Sequence, residues 1–272
     1  MDIDYAFLRR FLCSPSFGSW NTLLGSLSYL DKPERDKGVL YIKERIADWD
    51  DDLKTYPELS VSELVRMPQD WYIHELATHL DLSGQELGLD ELWSLACMKG
   101  FKNLKVLNLE RNKICDEALE ALTLSESIQN LHTLKLSDNP IHSEGLCALA
   151  KSSFLASIHT LSLSGTCYQD EGFQALLSSE YTKQIASLDL GYPECYYDGD
   201  YTSLSLSTNF PRLERLILDG TDILGGGALA LIQSHCFTLK SLSLHNCEYV
   251  WSYPPSICLK QTAKHHKMEL IM

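Results

Sequence analysis

The chain has 272 residues, 44% hydrophobic and 22% charged, enough for one large domain or two small ones with a full apolar core, which excludes a disordered or low-complexity polymer. Lys and Arg number 23 against 37 for Asp and Glu, a formal net charge of -14. That balance argues against gripping phosphate backbones, so no nucleic acid is expected and a basic protein partner fits better.

The first residues, MDIDYAFLRRFLCSPSFG, place acids ahead of a short, interrupted apolar stretch, unlike a secretory signal. No run approaches the ~18 apolar residues of a membrane span. The expectation is a cytoplasmic monomer without membrane contact, with export by a specialised secretion system left open. Helical spacing follows over Tyr5 to Leu12, Asn21 to Leu30, Gly38 to Trp49 and Val61 to Met67, with breaks at Asp31-Lys32-Pro33 and Asp50-Asp51-Asp52. Residues 1–75 therefore read as a helical N-terminal cap. The nine cysteines, Cys13, Cys97, Cys115, Cys147, Cys167, Cys195, Cys236, Cys247 and Cys258, are odd in number and widely dispersed, without a C-x-x-C pair. Reduced thiols are the expected state, and neither metal nor other cofactor is called for.

From residue 76 to about 259 a repeat takes over. The segment from Leu104 through Leu107, Leu109 and Asn112 to Ile114 recurs from Leu131 through Leu134, Leu136 and Asn139 to Ile141, with looser copies before and after. The central leucines are 80, 107, 134, 161, 188, 216 and 242, at spacings of 27, 27, 27, 27, 28 and 26. Period-2 alternation makes each a short strand with one buried face. Apolar residues at helical spacing follow, as in Asp116-Glu117-Ala118-Leu119 with Leu122, or Ser143-Glu144-Gly145-Leu146 with Leu149. The unit is strand, turn, helix, turn. One unit cannot bury its apolar face alone, so neighbours must stack into a continuous core. Beyond Trp251-Ser252-Tyr253-Pro254-Pro255 the pattern breaks, and 260–272 reads as a polar C-terminal tail.

This 27-residue unit with its E-G-L-x-A-L helix resembles the leucine-rich repeat proteins of the ribonuclease-inhibitor-like subfamily. The resemblance implies an α/β fold: a curved solenoid of about seven repeats, with a parallel sheet inside and helices outside. It also implies structural, backbone-bonding roles for the turn residues Gln85, Asn112, Asn139, Thr166, Thr221 and Cys247; Pro193, in the same slot, cannot play one and marks the fifth repeat as irregular.

Chemistry is sparse. His74-Glu75-Leu76-Ala77-Thr78-His79 has one residue more than the zinc helix H-E-x-x-H, which sets its imidazoles about 140° apart. Gly225-Gly226-Gly227 lacks a phosphate-loop continuation and fills the slot of Asp170-Glu171-Gly172. Cys195, with His159 or His132 as base, sits in an acidic loop that would not lower a thiol pKa. Carboxylate pairs at 116 and 117 or 170 and 171 fall in first helical turns, where they complement the helix dipole.

Strand alternation aims one residue before, one after and three after each central leucine into the inner face. The segment Gly191 to Tyr201 holds four tyrosines in the irregular fifth repeat. Tyr201 matches the core slot of Phe173 and Leu146. Tyr192, Tyr196 and Tyr197 are the candidate partner anchors, flanked by Tyr168, Asp189 and Asp219, with Arg215 and His245 of the inner face completing the set. The expected function is a non-enzymatic protein-protein interaction module, an adaptor, inhibitor or effector, with no catalytic residue. The alternative implied by the resemblance is a regulator of a GTPase with Arg111 as its arginine; a cysteine-dependent enzyme at Cys195 ranks behind it.

Overall fold

The computed structural model describes residues 3–50, 53–68, 71–168, 170–194, 201–223, 225–247 and 256–272. Five helices open the chain: α1 (Tyr5–Leu12), α2 (Phe17–Ser28), α3 (Lys32–Lys43), α4 (Val61–Arg66) and α5 (Ile73–Leu76). Their starts follow capping chemistry. Asp4 accepts from the Phe7 N–H at 2.9 Å and Ser16 from the Ser19 N–H at 3.1 Å, and a Ser60/Glu63 capping box opens α4. Two helices start earlier than their apolar spacing indicates. Ser16 caps α2, and Asp31 caps α3 with Pro33 in its first turn, so Asp31-Lys32-Pro33 starts a helix rather than breaking one.

The helical region also closes the sheet. The carbonyl of Lys54 accepts from the N–H groups of Thr78 at 2.8 Å and His79 at 3.1 Å, and the Tyr56 N–H donates to the His79 carbonyl at 2.8 Å. Trp20, fully buried, donates its indole N–H to the Thr55 carbonyl at 2.7 Å. An edge that would otherwise present unpaired backbone groups is thereby sealed.

The centre is one open parallel sheet whose eight strands follow sequence order: β1 (His79–Asp81), β2 (Val106–Asn108), β3 (Thr133–Lys135), β4 (Thr160–Ser162), β5 (Ser187–Asp189), β6 (Arg215–Ile217), β7 (Ser241–Ser243) and β8 (Glu269–Ile271). The central leucines stand opposite one another: Leu80 and Leu107, Leu107 and Leu134, Leu134 and Leu161, then Leu188, Leu216 and Leu242. All seven are buried, each contributing about 1.5–3 kcal/mol of apolar transfer. Helices α6 (Leu89–Cys97), α7 (Asp116–Thr123), α8 (Ser143–Lys151), α9 (Asp170–Ser178), α10 (Thr202–Leu206) and α11 (Gly225–Ile232) alternate with these strands. The α/β solenoid of stacked strand-helix repeats that the resemblance implies is borne out.

Asp116 lies in the first turn of α7, yet its carboxylate bonds the next helix: Oδ1 accepts from the N–H groups of His142 at 2.7 Å and Gly145 at 3.0 Å. A Cβ on Gly145 would stand 2.5 Å from that oxygen. The glycine of E-G-L is thus what lets successive helix starts dock.

The tail expectation is corrected. Residues Ser256–His265 form α12, with Leu259 and Ala263 buried, and β8 extends the sheet with Leu270 opposite Leu242. Lysines and histidines on the exposed side gave the segment a polar average that hid its i, i+4 apolar pair. The reduced-thiol expectation is corrected too: Cys167 is disulfide-bonded. Cys13, Cys97, Cys115, Cys147, Cys236, Cys247 and Cys258 are free, and Cys195 lies outside the described residues. No helix among the described residues is long and apolar enough to cross a membrane.

Candidate partner-binding surface

Each of β1 to β7 is followed four residues after its central leucine by a left-handed residue: Gly84, Arg111, Asp138, Gly165, Tyr192, Gly220 and Asn246, with φ between 45° and 67°. This row runs along the strand-exit edge. Glycine adopts the conformation freely, whereas a bulky side chain there costs roughly 1 kcal/mol. Arg111, Asp138, Tyr192 and Asn246 therefore mark where the row accepts strain and carries a side chain. Arg111, with φ 56°, is ion-paired to Asp138 at 3.5 Å with its side chain 79% exposed.

Beside that row lies the turn ladder. The Asn112 carboxamide oxygen accepts from the N–H groups of Gln85 and Leu87, both at 3.0 Å, and its nitrogen donates to the carbonyls of Leu82 and Leu109. Asn139 repeats the arrangement one turn on, accepting from Ile114 and donating to Leu109, Leu136 and Ser137. The Thr166 hydroxyl donates to the Leu163 carbonyl at 2.6 Å, and the Thr221 hydroxyl donates to the Leu218 carbonyl at 2.7 Å and meets the Cys247 Sγ at 3.8 Å. Cys247 bonds the Leu218 carbonyl through Sγ, and burial pushes its thiol pKa up. The exposed Gln85 reaches instead to the Leu59 carbonyl in the helical region, at 3.5 Å.

Tyr192 occupies its left-handed position with φ 45°, where Gly165 and Gly220 stand one repeat to either side. Its N–H donates to the Asp219 carbonyl at 2.6 Å. The ring lies directly against Gly220, where a Cβ would collide with it, and its hydroxyl accepts from the Asn246 carboxamide at 2.9 Å. The side chain thus spans the sixth repeat to reach the seventh, and the residue remains 49% exposed.

Half-buried carboxylates lie on the adjoining inner face. Asp189 accepts from the Gly191 N–H at 3.0 Å and the Ser162 hydroxyl at 3.4 Å. Burial pushes its pKa up, opposed by those two bonds and reinforced by the charges of Asp219 and Asp138. Asp219 accepts from the Ser243 hydroxyl at 2.6 Å and the His245 N–H at 2.9 Å. Arg215 and His245 are exposed. Asp189, Tyr192, Arg215, Asp219 and His245 thus belong to three consecutive repeats and share one surface.

Tyr168 does not belong to it, contrary to expectation. It is fully buried, donates its hydroxyl to the Leu190 carbonyl at 2.6 Å and meets the Tyr201 hydroxyl at 3.0 Å. The apolar ring fills the space between repeats while the carbonyl satisfies its hydroxyl. Tyr201 is buried against Phe173, as its slot implied, with ring centroids 5.7 Å apart. Tyr196 and Tyr197 lie outside the described residues. Asn246 was missed because a left-handed asparagine in the last turn is indistinguishable in sequence from a structural one.

Elsewhere the histidine pair divides between elements. His74 in α5 is packed edge-on against Trp71 and Phe101, and its Nδ1 is 3.0 Å from the Tyr56 hydroxyl, while His79 opens β1. Phe17, Tyr56, His79, Asp81 and Gln85 help line a cavity of about 790 Å³ at the first strand.

A family model described as Leucine Rich repeat matches residues 102–122 and 127–150, which carry the second and third strand-helix units. No curated protein matches the chain. The match and the sheet register together support a leucine-rich repeat protein.

Proposed function

We propose that the chain is a non-enzymatic protein-protein interaction module of the ribonuclease-inhibitor-like type, an adaptor, inhibitor or effector. It binds its partner through the inner face and strand-exit edge of repeats five to seven. Leucine-rich repeat domains generally mediate protein-protein contacts, and the 27-residue unit with its E-G-L helices supports the subfamily. Asp189, Asp219 and the net charge of -14 favour a basic partner surface.

Tyr192 is the observation that carries the reading. The fold needs no tyrosine at that position, since Gly165 and Gly220 serve it in neighbouring repeats. Yet a large amphipathic ring is held half-exposed in a strained conformation by Gly220 and Asn246. Pre-organisation of an aromatic anchor lowers the ordering cost of binding. Affinity capture with the wild-type chain and with Tyr192→Gly tests it. The variant is expected to lose the specific partner while its melting temperature holds within about 3 °C, the change of roughly 1 kcal/mol. An identical captured set from both baits contradicts the proposal.

A further inference from the structure

The repeats provide an internal alignment of the helical face, and the first two depart from it in one place. Trp93 on α6 stands where the next three repeats carry Glu120, Cys147 and Gln174. Leu89 replaces Asp116, Ser143 and Asp170 of later repeats, and Leu124 occupies the slot of Cys97, Lys151 and Ser178. Stacking therefore does not require an apolar side chain at any of the three. They are nevertheless among the exposed large hydrophobic residues, Leu89 at 44%, Trp93 at 54% and Leu124 at 66%.

All three line one open groove between α6 and α7, of about 360 Å³. Its charged lining residues, Asp90, Glu117 and Glu120, are all acidic. Exposed apolar side chains gathered in a patch signal contact with another molecule, and tryptophan is the residue most enriched at such anchors. The indole face also attracts a cation placed over it, and the carboxylate rim reinforces that preference. A groove lined by apolar side chains is the surface on which an amphipathic helix lays its apolar face.

We propose that this groove docks an amphipathic helical segment of a partner protein. Its apolar residues sit on Leu89, Trp93 and Leu124, and its lysines or arginines face Asp90, Glu117 and Glu120. The site is on the helical side of the sheet and is independent of the strand-exit edge, so the two surfaces can be engaged together.

The test is fluorescence anisotropy of a labelled leucine-lysine amphipathic peptide of about five helical turns, against a leucine-glutamate peptide of the same length. The chain is compared with Trp93→Gln and Leu124→Ser, which install the residues of the fourth repeat and leave the net charge unchanged. The basic peptide is expected to bind, with affinity at least about tenfold weaker for each variant at an unchanged melting temperature, while Tyr192→Gly binds as wild type. Equal binding to wild type and both variants reduces the interaction to diffuse charge attraction and overturns the proposal. So does equal affinity for the acidic peptide, or no binding at all. Concentration-dependent self-association lost in Trp93→Gln, without peptide binding, overturns it in favour of a second copy of the chain. Loss of the partner in the Tyr192→Gly capture leaves this result untouched, and the reverse also holds.

Discussion

Replacing Asn139 by alanine isolates what the turn ladder contributes. The residue is 1% exposed. Its oxygen accepts from the buried Ile114 N–H at 3.1 Å, and its nitrogen donates to Leu109 and Leu136 at 2.9 Å each. Leu109 keeps the bond from Asn112, also at 2.9 Å. Alanine therefore orphans chiefly the Ile114 N–H and the Leu136 carbonyl, at about 1–3 kcal/mol for each buried group, or about 3 kcal/mol after partial relaxation. At roughly 2–4 °C per kcal/mol for a chain of this size, the melting temperature falls by about 6–12 °C. Thr166→Ala leaves the Leu163 carbonyl, bonded at 2.6 Å, without its donor. That costs about 1 kcal/mol, or about 2–4 °C. Calorimetry on the three proteins reads the difference. Equal, small decreases would mean instead that water replaces the asparagine as readily as the threonine.

Burial holds the His74 imidazole below its usual 6.5. The unfolded chain therefore takes up the proton first: stability is full above about 6.5 and falls as pH drops toward the folded value. Melting temperatures between pH 7.5 and 5 should decline less in His74→Phe than in wild type, and parallel profiles would contradict this. Asp189 is shifted the other way, so its charge is a burden at neutral pH that disappears as pH falls through its raised pKa. Asp189→Asn keeps an acceptor for the Gly191 N–H; it should raise the melting temperature at pH 7 by a few degrees, with the gain shrinking toward pH 4, whereas a loss at pH 7 would count against it. Iodoacetamide followed by peptide mass analysis should label the exposed Cys13 and Cys97 long before the buried Cys247; early modification of Cys247 would be inconsistent with its packing.

The spacing of Leu80, Leu107, Leu134, Leu161, Leu188, Leu216 and Leu242 was legible because one buried residue per repeat must recur at a fixed interval, and the strand register follows it residue for residue. The helix starts at Ser16 and Asp31 were less legible, since a cap is a hydrogen bond to a backbone group rather than an apolar period. Burial separates the tyrosines where composition does not. Tyr168 and Tyr192 are equally amphipathic, but Tyr168 finds a carbonyl inside the stack whereas Tyr192 lies on a glycine at its edge. The left-handed row was hidden because Arg111, Asp138, Tyr192 and Asn246 occupy positions where glycine would have announced it. The eighth strand was missed because its pairing depends on which residues the stacking brings together.

A partner held along the exit edge of repeats five to seven would cover the backbone there. Amide hydrogen exchange of the chain, alone and bound to the partner it captures, reads that cover residue by residue. Protection gained on binding is expected to concentrate in residues 187–194, 215–220 and 241–246. Protection confined to the helical side, with those three segments exchanging as in the free chain, would contradict it.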